Sequence, residues 1–326
     1  MCWSPGVVSR VLLFACLHFY LTHSFTASRT AVQPLRNTVR TFATEAAVQI
    51  EGNITIVAKS DDYLVVDKPP SVVCHHSEWT GSRSQQEIPM LQRVRQAVGS
   101  RINLVHRLDR VCSGCLLVTY QKDDGDMTAI FSQAMAENAT KTYIALVRGE
   151  GILHGEDLKQ KGWFLVDRPI KNERGVLHEA STWFRFVAGQ PEVDGQPRAS
   201  LVLARPRTGR WHQIRRHLNG LSHPILGDSS HGNSKVNQEW RSQRGMLPER
   251  TCLHLARLQL STETFQIDAR SNLAPDMLKL LQVHLPAVLE EALPLLHEEG
   301  ITLVDNDREV EILPYTIADE TQPNDI

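Results

Sequence analysis

Along the chain, apolar runs rich in β-branched and aromatic residues predict strands over 54–57, 63–66, 115–119, 142–147, 182–187, 201–204 and 255–260. Helical spacing is rarer. Over 127–139 it sets Ile130, Phe131, Ala134 and Met135 on one face, behind a cluster of Asp able to cap the first turn. A short helix is predicted over 211–218, with Thr208 near its start and Gly220 past its end. Two more are predicted over 276–285 and 287–297, with Pro286 between them. Strands outnumber helices and their spacing is irregular. That pattern predicts an α/β (α+β) chain built on a large mixed sheet with helices packed on it, rather than a doubly wound βαβ array. The stretch 151–198, with its Gly, Pro and charge, predicts a long loop or hairpin insertion. No internal repeat is visible. Residues beyond Leu303 are expected to be loosely ordered, so 50–300 is read as the catalytic domain and 301–326 as an acidic tail.

The first 44 residues follow different rules. They hold Arg10, Arg29, Arg36 and Arg40 and no acid. An apolar run, VLLFACLHFYL, is too short to span a bilayer comfortably but suits the core of a signal sequence. A stretch rich in Ser, Thr and Arg follows, with the composition of a transit peptide. The two together resemble the bipartite leaders of proteins sent to complex plastids. A plastid address is therefore expected, with a mitochondrial one as the alternative, and no membrane association in the mature form. About ten residues lie between this leader and the first strand, too few for a separate S4-like RNA-binding module.

Composition adds little beyond its distribution. The chain has 326 residues, a net charge of −2 and 41% hydrophobic residues, which is ordinary for a globular protein. Charge is unevenly spread. Between Arg205 and His217 there are five Arg, two His and no acid, whereas 301–326 carries seven acids and one Arg. A basic cleft with acid placed elsewhere suits RNA. Six Cys are scattered, two of them in the leader, which excludes a disulfide framework. Cys112 and Cys115 form a C-x-x-C, but no second such pair exists, so both read as small packing residues and no metal is expected.

One carboxylate stands out. Asp109 sits in HRLDR, with His106, Arg107 and Arg110 within three positions of it. Nearby positive charge favours a carboxylate and also receives a phosphate backbone. Taken alone, such an Asp is better explained by a strand-end salt bridge.

The string is one of five ordered blocks: HRLDRVCSG at 106–114, KTYIALVRG at 141–149, TGRWHQIRRH at 208–217, SHPILGD at 222–228 and LHLARL at 253–258. Their order and spacing resemble the RluA-type family of RNA pseudouridine synthases, over about residues 54–260. The double Arg of HQIRRHL, the short LSHPI and GDSSHGNSKVN bring the resemblance nearest to the tRNA pseudouridine synthase C group within it. The resemblance implies a mainly antiparallel sheet with a central catalytic cleft. It implies isomerisation of uridine to pseudouridine in structured RNA, a tRNA stem before ribosomal RNA. It also implies three active-site residues. Asp109 matches the catalytic aspartate, Tyr143 the active-site tyrosine, and Arg210 is expected to hold Asp109. Arg107 matches the side chain that fills the gap left by the flipped base, with His106 and Leu108 shaping the pocket. Arg110, Arg207, His212, Arg215 and Arg216 are expected on the RNA side, and one of Arg215 and Arg216 to face phosphate. The chemistry has no net redox change and adds no group, so no cofactor is expected. A monomer acting on RNA is the expected assembly. The rival readings are a non-catalytic RNA-binding protein and a glycosidase. The second would need another catalytic carboxylate, and no block supplies one beside Asp109.

Overall fold

In the computed structural model, the described residues are 49–76, 87–122, 127–193 and 195–318. The expected leader and the Asp cluster before Met127 lie outside them. The strands are β1 Gln49–Lys59, β2 Tyr63–Lys68, β3 Ile102–Leu104, β4 Ser113–Tyr120, β5 Thr140–Arg148, β6 Ile152–Leu153, β7 Glu156–Asp157, β8 Phe164–Asp167, β9 Ile170–Lys171, β10 Leu177–His178, β11 Ser181–Gln190, β12 Ala199–Pro206, β13 Leu253–Ser261, β14 Gln266–Arg270 and β15 Glu311–Ala318. Eleven of them form one sheet in the order β15-β1-β2-β4-β13-β5-β12-β11-β8, with β3 added on β4 and β14 on β13. The short pairs β6–β7 and β9–β10 lie within the segment expected to hold an insertion.

The centre of the sheet explains the longest apolar run. From Ser113 to Thr119 every residue of β4 is buried, because both faces of the strand are covered. β4 meets β13 in parallel only at His254↔Ser113 and Leu255↔Gly114. Every other named pairing in the sheet is antiparallel. The two strands touch at this point and then part, β4 towards β3 and β13 towards β14. Gly114 makes the contact possible. Its φ is +111°, and a Cβ there would stand 2.3 Å from the Leu255 carbonyl oxygen.

The join divides the interior into two cores. One lies among β5, β11, β12, β13 and the helices Gln213–Gly220, Pro275–His284 and Pro286–Glu298. The other lies among β1, β2, β4, β14 and the helices Met90–Val98 and Met127–Glu137. Tyr143 packs against both. Cys112 belongs to the first core and Cys115 to the second, so the C-x-x-C faces opposite ways.

Three elements depart from expectation. The helix Met90–Val98 was not foreseen, although Met90 and Val94 are its buried residues at helical spacing and Gly99 closes it at φ 64°. The helix Ser234–Arg244 was also missed. It has few apolar residues and is anchored by Trp240, with the Asn233 side chain accepting from Val236 N–H at 3.1 Å. The acidic tail is not loose throughout: β15 pairs with β1 from Gln49↔Ala318 to Ile56↔Glu311. Tyr315 is buried there, and Pro314 is tolerated because the strand lies at the sheet's edge.

Candidate active site

Asp109 lies in the turn that enters β4, at the point where the sheet forks. Backbone bonds fix the turn: Cys112 N–H donates to the Asp109 carbonyl at 3.0 Å. Lys68 fixes it again from below. Its fully buried ammonium donates to the carbonyls of Pro69 (2.9 Å), Arg110 (3.2 Å) and Cys112 (2.7 Å), and burial lowers its pKa to about 8. Cys74 adds a clasp, its thiol bonding the Leu108 carbonyl at 3.3 Å and accepting from Leu108 N–H at 3.4 Å. The carboxylate is thus carried on a loop whose carbonyls are spent on Lys68, the Cys74 thiol and the loop's own backbone.

The partner of Asp109 is Arg215. Its Nη1 donates to Asp109 Oδ2 at 2.8 Å, while Nε and Nη2 grip Asp228 Oδ2 and Oδ1 at 2.8 and 2.7 Å. Asp228 is buried, and burial alone would raise its pKa. The Arg215 hydrogen bonds and charge, with the N–H groups of His231 and Ser230, instead hold it below the usual carboxylate range. The result is a fork between two carboxylates, one structural and one facing the cleft.

This corrects the expectation for Arg210. Its Nε donates to the Glu179 carbonyl at 3.0 Å, and the side chain is exposed on the cleft wall. The reason lies in the helix start. His212 takes a left-handed φ of 53°, so the helix begins at Gln213 rather than Trp211. Gln213 pins the preceding loop: its Oε1 accepts from Thr208 Oγ1 (2.7 Å) and Arg210 N–H (3.0 Å), and its Nε2 donates to Ser181 O and Thr182 Oγ1. Arg210 is left on the loop while Arg215 points inward from the first helical turn. Arg215 is therefore buried, not facing phosphate.

The remaining expected residues fall into two groups. Arg107, Leu108, Asp109, Tyr143, Arg210, His212 and Arg215 line one cavity of about 180 Å³, floored by Cys112 and Leu253. Arg107 is exposed at its mouth, as is Arg207 on the approach to the loop. Others stand apart. His106 turns into the sheet, where its Nε2 accepts from Leu117 N–H at 3.0 Å, and burial pushes its pKa down to about 3. It is a neutral prop and not a phosphate cation. Arg110 is spent between Glu87 (2.8 Å) and Glu249 (2.7 Å). Arg216 donates to the Lys171 carbonyl at 2.7 Å.

Comparison with known proteins decides the family. The model of the family described as RNA pseudouridylate synthase matches residues 62–220. The tRNA pseudouridine synthase C of Yersinia pestis is 31% identical over 215 residues, covering 64% of this chain and 81% of that protein. The Vibrio parahaemolyticus protein of the same name is 33% identical, covering 61% and 80%. For that of Pectobacterium carotovorum the figures are 32%, 62% and 54%. The chain belongs to the RNA pseudouridylate synthase family. The fold agrees: the structure of human RNA pseudouridylate synthase domain containing 4 superposes with a TM-score of 0.52 at 19% identity, covering 71% of this chain and 92% of that one. The family's members are isomerases that act on RNA.

In this pseudouridylate synthase the cleft also contains a histidine pair. His212 Nδ1 lies 2.9 Å from His231 Nε2, and His212 Nε2 lies 3.7 Å from Asp109 Oδ2. Burial lowers the pKa of His212 to about 4, so both rings are neutral near pH 7. Tyr143 is covered as well. Burial, then the neighbouring Cys112 and Asp109, raise its hydroxyl above the ordinary phenol range. It presents a ring and a neutral hydroxyl, not a phenolate. Sequence reasoning missed Lys68 and Asp228 as site residues. Each carried a signal: a lysine closing an apolar strand in YLVVDK, and a single acid closing the apolar SHPILG.

Proposed function

We propose that the protein isomerises uridine to pseudouridine in the stem of a tRNA, with Asp109 acting at the anomeric carbon. The observation that carries this reading is the Arg215 fork, which aims one Asp109 oxygen while leaving the carboxylate a third exposed to a base-sized cleft. In the proposed course the carboxylate attacks C1′ and the C1′–N1 bond breaks, its electron pair leaving on the uracil. The base turns, C5 bonds to C1′ and the carboxylate is released. The proton lost from C5 is balanced by one gained at N1, so no atom is added or removed. Tyr143 supplies a ring against the base. Its raised hydroxyl argues against phenolate base catalysis. A stem uridine must leave its helix, at a cost of about a few kcal/mol, and Arg107, exposed beside the cleft, supplies the side chain that fills the gap in this reading.

A tRNA target is supported by the names of the bacterial relatives. The composition of residues 1–44 supports an organellar address, plastid before mitochondrion, which a fluorescent fusion of those residues would locate. The chemistry is tested by carbodiimide primer-stop mapping of organellar and cytosolic RNA, wild type against Asp109→Ala. Loss of one stop in a tRNA stem is expected. A stop lost in ribosomal RNA keeps the enzyme and removes the tRNA assignment. No lost stop leaves an RNA-binding protein without this activity.

A further inference from the structure

Trp211 is not used by the chemistry at Asp109, yet it is the most conspicuous side chain at the cleft. It keeps 47% of its surface exposed. A stiff aromatic face left open beside a cleft is suited to stacking on a planar ligand. The ring is nevertheless held in place. It stacks on His212 at 3.9 Å between centroids and 21° between planes, meets His231 edge-on at 6.0 Å, and has the Arg216 guanidinium 6.0 Å from its centroid. His212 supports it from a left-handed backbone position, a strain that the surrounding hydrogen bonds sustain.

Two cavities meet at this indole. One is the catalytic cleft. The other, about 220 Å³, opens between the β9–β10 hairpin and the loop before the Gln213–Gly220 helix, and is lined by Ile170, Lys171, Asn172, His178, Arg210 and Trp211. Gly209, Arg210 and Trp211 belong to both, so one short stretch of the loop forms the wall they share. The second cavity has fixed walls. Arg216 ties the hairpin to the helix through the Lys171 carbonyl, Asn172 Nδ2 lies 3.1 Å from His178 Nε2, and Asn172 Oδ1 accepts from Arg174 and Val176 N–H.

We propose that this second cavity seats the nucleobase adjoining the target uridine, stacked on Trp211, which serves as the partition between the two bases. The proposal rests on the RNA substrate argued above. Its physical basis is the cost of the flip. Extruding a uridine removes stacking from its neighbours as well as from itself, and an aromatic ring one layer away recovers part of that loss. The charges agree with a base inside and a phosphate at the rim. Lys171 and Arg210 line the cavity, Arg216 is tied to the Lys171 carbonyl, and the exposed Glu173, Arg174 and Glu179 of the same hairpin add no net positive charge. Stacking tolerates any base, so the subsite adds affinity and register rather than base identity.

The test is a cycle between protein and RNA. A stem-loop of the RNA whose stop is lost in Asp109→Ala is made intact, with an abasic ribose 5′ of the target, and with one 3′ of it. On intact RNA, Trp211→Ala is expected to lower kcat/KM about 5- to 150-fold, the range of one base–aromatic stack. On one of the abasic RNAs the loss should shrink to less than about 2-fold, since the partner is already gone. Trp211→Phe, which keeps a ring, should recover most of the loss on intact RNA, while the shrinkage on an abasic RNA separates base stacking from mere support of His212. Equal losses on all three RNAs, or no loss on intact RNA, overturn the subsite while the enzyme stands. A wild-type chain that makes no pseudouridine in the intact stem-loop overturns both the activity and the subsite that depends on it.

Discussion

At the scale of single residues, the decisive group is Arg215. Its guanidinium has donors on both Asp228 and Asp109 and is 4% exposed, so the direction of the Asp109 carboxylate is set through a buried acid behind it. A lysine offers a point charge and not a fork, and cannot serve both carboxylates in this geometry. Arg215→Lys is expected to lower kcat by about 10²-fold or more, with little change in KM, as misplacement of a reacting group does. Arg210→Ala, on the exposed wall, should cost less than about 10-fold. Because breaking a buried pair costs about 3–5 kcal/mol, Arg215→Lys must be assayed on protein shown to be folded by its near-ultraviolet dichroism. If Arg210→Ala proved the more damaging change, the assignment of the cation would be reversed. Asp228→Asn keeps the shape and removes the charge, so its kcat should fall between the two.

At the scale of elements, the fork between β4 and β13 places the site. Gly114 permits it, and Gly114→Ala joins a Cβ to a backbone position at φ +111° and 2.3 Å from the Leu255 carbonyl oxygen. Neither atom is a flexible side-chain end, so strand contact or backbone must give. A loss of at least about 1–3 kcal/mol in stability is expected from the backbone strain alone, read as a lower urea midpoint. Because the turn carrying Asp109 enters β4 at this point, activity per folded molecule should fall too, and unchanged activity would separate the join from the site. The strands were legible because each concentrates β-branched and aromatic residues that the sheet buries on one face or on both: all seven expected strands lie within observed ones, short by a few residues at the ends. The helix Ser234–Arg244 was not legible because its buried anchors are Trp240 and the polar Asn237, which leave no apolar stripe to read. β15 was hidden by acidic neighbours, although its alternation is present in Leu313, Tyr315 and Ile317. The blocks that hold Asp109 and Tyr143 bring both side chains to the cleft. The cation could not be read from the sequence, since Arg215 reaches Asp109 across 106 residues of sequence and only the left-handed turn at His212 decides which Arg is presented.

At the scale of the whole molecule, two half-sheets with separate cores meet at one short parallel contact, and buried polar groups secure the seam. His254 Nδ1 lies 2.9 Å from Ser113 Oγ, and fully buried Arg250 donates to Ser113 Oγ at 2.8 Å and to Asp276 at 2.9 Å. Burial pushes the pKa of His254 to about 3, as it does for His106 beside β4. Both rings titrate at about 6.5 in the unfolded chain. Their folded values are lower, so stability is complete above about pH 6.5 and is lost as pH falls towards 3. At pH 5 each ring removes about 2 kcal/mol. Asp67 acts in the opposite direction. Burial raises it to about 6, so acidification relieves its cost by about 1 kcal/mol at pH 5, less than either histidine takes away. The urea midpoint should therefore drop between pH 7 and pH 5. His254→Gln retains a polar partner for Ser113 and removes the titration, so its midpoint should fall less steeply over the same interval. A wild-type midpoint that is flat or rises on acidification would mean that these rings are protonated in the folded seam, and that the two halves are not held together by neutral histidine.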